Sequence, residues 1–185
     1  MRDYHEFLDE ILIDEDQLRA RVAALGAQIS ADYTGTRDLL LVCVLKGGVM
    51  FLTDLMKHIT IPHAIEFMAV SSYGVSVRES SGVAKIDLDV RQPITDCHVI
   101  IVEDIIDSGT TLSYIRRLLE TRAPASLKIC TLLNKPSRRV TPVKVDYVGF
   151  EIADKFVFGY GLDLDEMYRN LPFIGVVREG AKWNG

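Results

Sequence analysis

The amino-acid sequence predicts an α/β protein with an open, mainly parallel twisted sheet that is flanked by helices. Short apolar runs alternate with amphipathic helical segments from residue 39 to residue 133, and this alternation is typical of parallel sheets. The run from Leu39 to Leu45 is continuously apolar and includes β-branched residues, which favours a strand buried on both faces.

Three helices are expected from apolar residues at helical spacing. The first follows Asp14, a residue type that favours N-caps. Its predicted buried stripe is Leu18, Val22, Leu25 and Ile29. The second follows the break at Gly47-Gly48 and carries Met50, Phe51, Leu55 and Met56. The third begins near Thr110, with Leu112, Ile115, Leu118 and Leu119 on one side.

Further strands are predicted from apolar runs bounded by turn residues. They cover residues 64–70, 99–102, 127–133, 145–152 and 173–177. Residues 83–90 alternate imperfectly between apolar and polar and are expected to form an edge strand. In parallel sheets, ligands bind outside the carboxyl ends of the strands, so the residues that follow these strands are the candidate site.

The composition indicates which classes of protein fit this chain. The 185 residues are 48% hydrophobic and 25% charged, which indicates a single globular domain over residues 1–185. A formal charge of −5 argues against a nucleic-acid or anionic-membrane partner. Cys43, Cys97 and Cys130 form no C-x-x-C pair, and the histidines lack metal-ligand spacing, so a reducing compartment is expected and a zinc site is not. With no signal-peptide core or membrane-spanning run, we expect a cytoplasmic protein.

The stretch from Val102 to Thr111 joins the strongest strand signal to the third helix. Gly109 permits a tight turn, and Ser108, Thr110 and Thr111 add hydroxyl groups. The first N–H groups of a helix are unpaired and lie at its positive end. The pattern therefore predicts a phosphate cradle.

Three acids accompany this cradle. Glu103 and Asp104 have the hard oxygen ligands that suit sugar hydroxyls or hydrated Mg²⁺, and Asp107 lies at the turn, where it could reach a reacting atom. The lysine of a G-x-x-x-x-G-K-[ST] loop is missing, which excludes that class of nucleoside triphosphatase. The bland alternative is that the acids and hydroxyls only cap a helix.

This string resembles the phosphoribosyl pyrophosphate-binding motif of the type I phosphoribosyltransferases. From the first helix to Arg169, the chain is similar to the bacterial hypoxanthine–guanine branch of that family. The resemblance implies a core over about residues 35–150. It also implies a small hood built from the N-terminal segment and about residues 151–185.

The resemblance implies roles for the matching positions. The 5-phosphoribosyl group would be bound by Glu103, Asp104, Asp107, Ser108, Gly109, Thr110 and Thr111. Asp107 would be the catalytic base. The residues that would bind pyrophosphate are Lys46, Gly47 and Arg169, with a cis peptide possible before Lys46.

The purine side follows from the same resemblance. The purine would be bound by Lys135, Phe156, Val157 and Asp163. The cofactor would be Mg²⁺, with Glu103 and Asp104 at the ion beside the ribose hydroxyls and Asp163 facing a second ion. Without the resemblance, these residues have simpler interpretations. Lys135 would belong to a solvated basic loop and Phe156 to the core. Asp163 would be a turn residue and Arg169 a surface charge.

A mobile lid is expected to begin at Ser72 and Tyr73 and to exclude water from the reaction. Family members often carry Gly and Ser there, whereas residues 75–79 of this chain are bulkier and charged. Because of this difference, the resemblance does not predict the lid's motion or its contacts.

The implied activity is purine salvage: transfer of the 5-phosphoribosyl group from phosphoribosyl pyrophosphate to hypoxanthine or guanine, giving IMP or GMP. The implied assembly is a homo-oligomer, either a dimer or a tetramer. Two rivals remain open, namely a regulator that senses phosphoribosyl pyrophosphate and a transferase for adenine, a pyrimidine or xanthine. Lys135 argues against adenine, and the absence of a spare or basic domain argues against the regulator.

Overall fold

The computed structural model describes residues 3–72 and 84–181. The three α-helices in these ranges are α1 (Glu15–Asp32), α2 (Val49–His58) and α3 (Thr110–Glu120). The strands are β1 (Leu8–Ile13), β2 (Leu39–Leu45), β3 (His63–Ser72), β4 (Ala84–Leu88), β5 (His98–Ile106), β6 (Ser126–Asn134), β7 (Tyr147–Glu151), β8 (Val157–Phe158) and β9 (Ile174–Val177).

Six strands form the central sheet, in the order β4-β3-β2-β5-β6-β7. Strands β3, β2, β5, β6 and β7 run parallel, and β4 is an antiparallel edge strand beside β3. This confirms the predicted open, mainly parallel sheet. None of the helices in the described ranges has the length and apolar character that a bilayer crossing needs.

The helices form where local signals predict them. Asp14 accepts the backbone N–H of Gln17 at 2.8 Å, and the Gln17 side chain accepts the Asp14 N–H at 3.0 Å, which is a capping box. The predicted stripe from Leu18 to Ile29 is buried.

Two apolar layers cover the sheet. One joins β2 and β5 to α1 and α2, and the other joins the opposite face to α3. Residues Leu39 to Val44 of β2 are all buried, because helices cover both faces of this strand. The sheet core therefore holds the carboxyl ends of β2, β5 and β6 at one edge.

The chain ends meet in a second, antiparallel sheet with the order β1-β9-β8. Together with the turns between β8 and β9, it forms the hood that the resemblance implies. Strand β1 was not expected from the sequence, because only its last residue, Ile13, is fully buried and half of its side chains are exposed. Its pairing partner, β9, lies more than 150 residues away.

Two boundaries also differ from expectation. Strand β5 continues to Ile106, so Glu103 and Asp104 lie within the strand instead of after it. Ser72 ends β3. The rest of the expected lid, Tyr73 and residues 75–79, lies outside the described residues.

Gly26 sets the distance between α1 and α2. A Cβ there would lie 2.5 Å from His58 Cβ and 2.8 Å from the His58 carbonyl carbon. Gly26→Ala should lower the free energy of unfolding by about 1–3 kcal/mol through overpacking, although alanine improves helix propensity by about 1 kcal/mol. Urea unfolding followed by circular dichroism measures the change.

The exposed Ala27→Gly in the same helix is the matched control, and it should cost about 1 kcal/mol from propensity alone. A Gly26→Ala protein that is more stable than wild type would contradict the close contact.

Candidate functional site

Three candidate residues follow the ends of neighbouring parallel strands. Lys46 follows β2, Asp107 follows β5 and Lys135 follows β6. Because β5 pairs in parallel with both β2 and β6, these three positions lie at one edge of the sheet. The structure therefore brings them together at the place where α/β proteins bind ligands.

The turn after β5 has the geometry of an anion cradle. Gly109 has φ +81° and is the N-cap residue of α3, so the cap position has no side chain to bond the helix end. Thr110 N donates to Ser108 Oγ over 3.3 Å. A cavity of about 130 Å³ lies at this turn, and its lining includes Glu103, Asp107, Ser108, Gly109 and Thr111. The first N–H groups of α3 and three hydroxyls can therefore surround a phosphate.

The loop that contains Val140 and Thr141 contacts the cradle. Val140 N and Thr141 N both donate to Ser108 O at 2.9 Å. A Cβ at residue 109 would lie 2.5 Å from Thr141 O, so a glycine is required both for the backbone angle and for this approach. The cradle is thereby fixed to the loop that follows Lys135.

Glu103 and Asp104 form a tight acidic pair near the cradle. Burial raises the pKa of Glu103 well above its usual value, and the charge of Asp104 raises it further. Burial also raises the pKa of Asp104, while Arg169 is close enough to oppose this shift. Two partly buried carboxylates in contact favour a cation beside them.

The loop after β2 fits against this pair. A Cβ at Gly47 would lie 1.5 Å from Asp104 Oδ2, so the carboxylate fills the space that any other side chain would need. The peptide bond between Leu45 and Lys46 is cis, as the resemblance implies.

These residues fit a magnesium ion in part. The described residues contain no group of three or more His, Cys, Asp or Glu side chains suited to a metal. Mg²⁺ is commonly held by one or two carboxylates together with substrate oxygens and water, and the Glu103–Asp104 pair matches that donor set. Asp163 does not form a group of three with the pair, and its Oδ1 lies 2.9 Å from Arg169 Nη2.

Asp107 lies in an ion-pair network that the sequence did not predict. Arg138 Nε donates to Asp107 Oδ1 over 3.2 Å, and Arg138 Nη1 lies 3.6 Å from Asp154 Oδ2. Asp154 Oδ1 is also 3.8 Å from Lys135 Nζ. The only signal for Arg138 was its place in a basic run, which does not reveal a partner.

Lys135 is buried, with 6% of its surface exposed, so the alternative of a solvated loop is wrong. Its ammonium donates to Lys155 O over 2.7 Å. An ammonium group has three donors, and burying one that is only partly satisfied is costly unless a ligand completes its bonds.

The remaining candidates lie in the hood. Phe156 keeps 54% of its surface exposed, whereas the Val157 side chain is buried in β8. Any contact of Val157 with a ligand must therefore involve its backbone. Phe156 O accepts the N–H of Val177 over 2.8 Å, which holds this segment to β9.

Lys46 and Arg169 meet at a residue that the sequence analysis did not single out. Lys46 Nζ lies 2.9 Å from Glu166 Oε2, and Arg169 Nη2 lies 3.3 Å from the same oxygen. Arg169 also donates to Gly161 O over 2.8 Å. The two predicted pyrophosphate residues thus share one exposed carboxylate. No sequence signal distinguished Glu166 from other acids in the same turn.

Comparison with known proteins shows the family. The family model described as the phosphoribosyl transferase domain matches residues 10–166. Hypoxanthine-guanine phosphoribosyltransferase of Mycobacterium tuberculosis is 50% identical over 175 residues, covering 92% of this chain and 86% of its own. Hypoxanthine phosphoribosyltransferase of Escherichia coli is 47% identical, covering 91% of this chain and 94% of its own.

Solved structures agree with these sequence matches. A hypoxanthine phosphoribosyltransferase of Staphylococcus aureus superposes with a TM-score of 0.89 at 45% identity, covering 94% of both chains. A hypoxanthine-guanine phosphoribosyltransferase of Bacillus anthracis gives a TM-score of 0.86 at 44% identity, covering 92% of this chain and 99% of its own. The chain therefore belongs to the phosphoribosyltransferase family, within its bacterial hypoxanthine–guanine branch.

Proposed function

We propose that this enzyme transfers the 5-phosphoribosyl group from phosphoribosyl pyrophosphate to hypoxanthine or guanine in purine salvage. The products are IMP or GMP and pyrophosphate. The observation that carries the proposal is the arrangement around Asp107. This acid directly precedes the cradle at the start of α3, and Arg138 and Asp154 link it to the buried Lys135. A base bound by Lys135 and a sugar phosphate bound by the cradle would meet at this acid.

The reaction exchanges one bond at the anomeric carbon of ribose. The bond to pyrophosphate breaks, and a bond to a purine ring nitrogen forms. Bond breaking runs ahead, so the sugar gains cationic character, as in glycoside cleavage. Lys46 and Arg169 stabilise the negative charge that develops on the departing pyrophosphate.

Asp107 removes the proton that the purine must lose. Its Oδ1 accepts a hydrogen bond from Arg138 Nε at 3.2 Å, which restricts the orientation of the carboxylate. As the imidazole ring attacks the sugar, the other ring nitrogen becomes acidic and gives its proton to this carboxylate.

The buried Lys135 ammonium supports a 6-oxo purine as the acceptor. It can donate to the 6-oxygen, while Phe156 stacks on the ring and the Val157 backbone bonds the base edge. The 6-amino group of adenine would meet a buried donor with no acceptor to offer, which discriminates strongly. A donor-sensing regulator without transfer would not need this base-side arrangement.

Glu103 and Asp104 would hold Mg²⁺ at the ribose hydroxyls, and Asp163 would face a second ion. The metal supplies charge neutralisation for the pyrophosphate group when it is bound. Gly47 supports this assignment, because its missing side chain leaves the space that Asp104 occupies.

We also propose a cytoplasmic homo-oligomer, a dimer or a tetramer. The three cysteines are free, and Cys43 and Cys130 are buried, which fits a reducing compartment. Gel filtration with light scattering measures the assembly.

The proposed substrates predict a specific pattern of nucleotide formation. The enzyme should form nucleotide from hypoxanthine or guanine only when Mg²⁺ is present, and should leave adenine almost unused. Lys135→Ala should lower the ratio of kcat/KM for hypoxanthine to kcat/KM for adenine by about tenfold or more. A site that hydrogen-bonds one polar group of its substrate can discriminate between substrates by far larger factors. Chromatographic detection of the nucleotide measures both results.

Lys155→Ala is the matched control, because its side chain pairs with Glu10 outside this contact. Unchanged base selectivity in Lys135→Ala would place the purine reader elsewhere. Absence of nucleotide from every 6-oxo purine would refute the proposed reaction.

Asp107→Asn should lower kcat by about 10²- to 10⁴-fold, the usual contribution of a general base, while the Kd for IMP changes little. Steady-state kinetics and calorimetry measure these two quantities. Asp154→Asn removes a carboxylate from the same ion-pair network, and its loss should be much smaller. If Asp107→Asn kept wild-type turnover, the assigned proton transfer would be wrong.

Gly47→Ala should lower kcat/KM by about 10²-fold, since its Cβ displaces Asp104 and misplaces the site by an ångström or more. Gly35→Ala adds a methyl group where nothing lies within 4 Å. Its φ of +77° strains an alanine and lowers stability, but at an equal folded fraction this variant should retain activity. Nucleotide formation at matched folded fractions gives the comparison. Wild-type activity in Gly47→Ala would mean that Asp104 does not need its present position.

A further inference from the structure

Glu166 lies at the tip of a tight turn in the hood. Leu164 and Met167 exchange backbone hydrogen bonds of 3.1 and 3.2 Å. The two residues between them, Asp165 and Glu166, have φ angles of +54° and +64°. Positive φ at both positions is the pattern of a type I′ turn, for which glycine and asparagine are the favoured residues. A glutamate is held here in an unfavourable backbone conformation.

The turn directs the Glu166 carboxylate to two cations from different parts of the fold. Lys46, at the end of β2, approaches Oε2 at 2.9 Å, and Arg169, in the hood, approaches it at 3.3 Å. Glu166 N also donates to Asp163 Oδ2 over 2.9 Å. The hydrogen bond from Lys46, followed by that from Arg169, lowers the pKa of Glu166. One anionic oxygen thus occupies the space between the two cationic groups.

We propose that Glu166 is an internal counter-ion that competes with pyrophosphate for Lys46 and Arg169. Its carboxylate pairs with both cations in the free enzyme, and the pyrophosphate group of the sugar donor or the product displaces it. Glu166 therefore acts as a positioning residue that sets the affinity of the site for pyrophosphate. The inference rests on the proposed assignment of Lys46 and Arg169 to that group.

Exposure makes this exchange possible. The Lys46 and Glu166 side chains keep 68% and 66% of their surface exposed, and ion pairs this exposed contribute little stability. Pyrophosphate carries more charge and more acceptor oxygens than one carboxylate, so it forms stronger charge-assisted bonds.

Arg169 can release Glu166 without losing its place. It retains Asp163 at 2.9 Å and the Gly161 carbonyl at 2.8 Å. Lys46 has a flexible side chain, and Glu166 is its ion-pair partner among the described residues. The exchange thus moves Lys46 and Glu166 while the arginine stays fixed.

The test is the inhibition constant of Mg²⁺-pyrophosphate against phosphoribosyl pyrophosphate in the full enzyme. Glu166→Gln keeps the side-chain size and removes the competing charge. It should lower this constant by about three- to tenfold, which lies within the range expected from losing the Lys46 and Arg169 ion pairs together. It should lower the KM for phosphoribosyl pyrophosphate by a similar factor without raising kcat. Both gains should shrink as salt is added.

Asp165→Asn is the matched control. It removes the same charge from the same turn, and Asp165 makes no ion pair with Lys46 or Arg169 among the described residues. Its inhibition constant should stay within about twofold of wild type, as expected for a screened charge without contact. An equal gain in Asp165→Asn would overturn the counter-ion role, because net charge alone would explain it.

If the substitution itself damages the turn, the inhibition constant of Glu166→Gln should rise. A raised or unchanged inhibition constant overturns the inference. Lys46→Ala separates this failure from that of the proposed function. If Lys46→Ala weakens pyrophosphate inhibition while Glu166→Gln does not strengthen it, only the counter-ion role fails. If Lys46→Ala leaves inhibition unchanged, the assignment of Lys46 fails as well.

Discussion

The approach of the loop after β2 to both β5 and the hood is the constraint on which this site depends. A Cβ on Gly47 would lie 1.5 Å from Asp104 Oδ2, and a Cβ on Gly161 would lie 2.2 Å from Gly47 O. Gly161 also has φ +98°, which favours glycine. Two residues without side chains thus let the hood, the loop and the strand meet. Lys46 from the sheet and Arg169 from the hood can face one space only because of this contact.

The charged side chains on both sides of that space form ion pairs with one another. On the base side, Asp107, Arg138, Asp154 and Lys135 form one alternating series. On the other side, Lys46, Glu166, Arg169 and Asp163 form a second. Burial raises the pKa values of the neighbouring acids Glu103 and Asp104. Arg169, in the second series, is near enough to Asp104 to oppose its shift.

Local signals made much of this structure predictable. A few neighbouring residues are enough to predict the buried stripe of α1, the strand β2 and the turn from Asp107 to Thr111. Periodicity and turn chemistry are local properties of the sequence. Strand β1 could not be predicted, since its partner is at the other end of the chain. The contacts of Arg138 and Glu166 join distant segments in the same way. The burial of Lys135 also depends on the hood, which a basic run does not reveal.

Burial divides the site into a half suited to selection and a half suited to exchange. Lys135 is almost wholly buried, so a ligand that offers its ammonium no acceptor leaves a donor unsatisfied in a poorly solvated place. That arrangement favours discrimination between bases. Lys46 and Glu166 are largely exposed, so breaking their pair costs little. In the proposed assignments, Lys135 selects the acceptor and Lys46 takes part in the release of pyrophosphate after every turnover. The fold separates these two properties, because Lys135 bonds Lys155 O in the hood whereas Lys46 stays exposed.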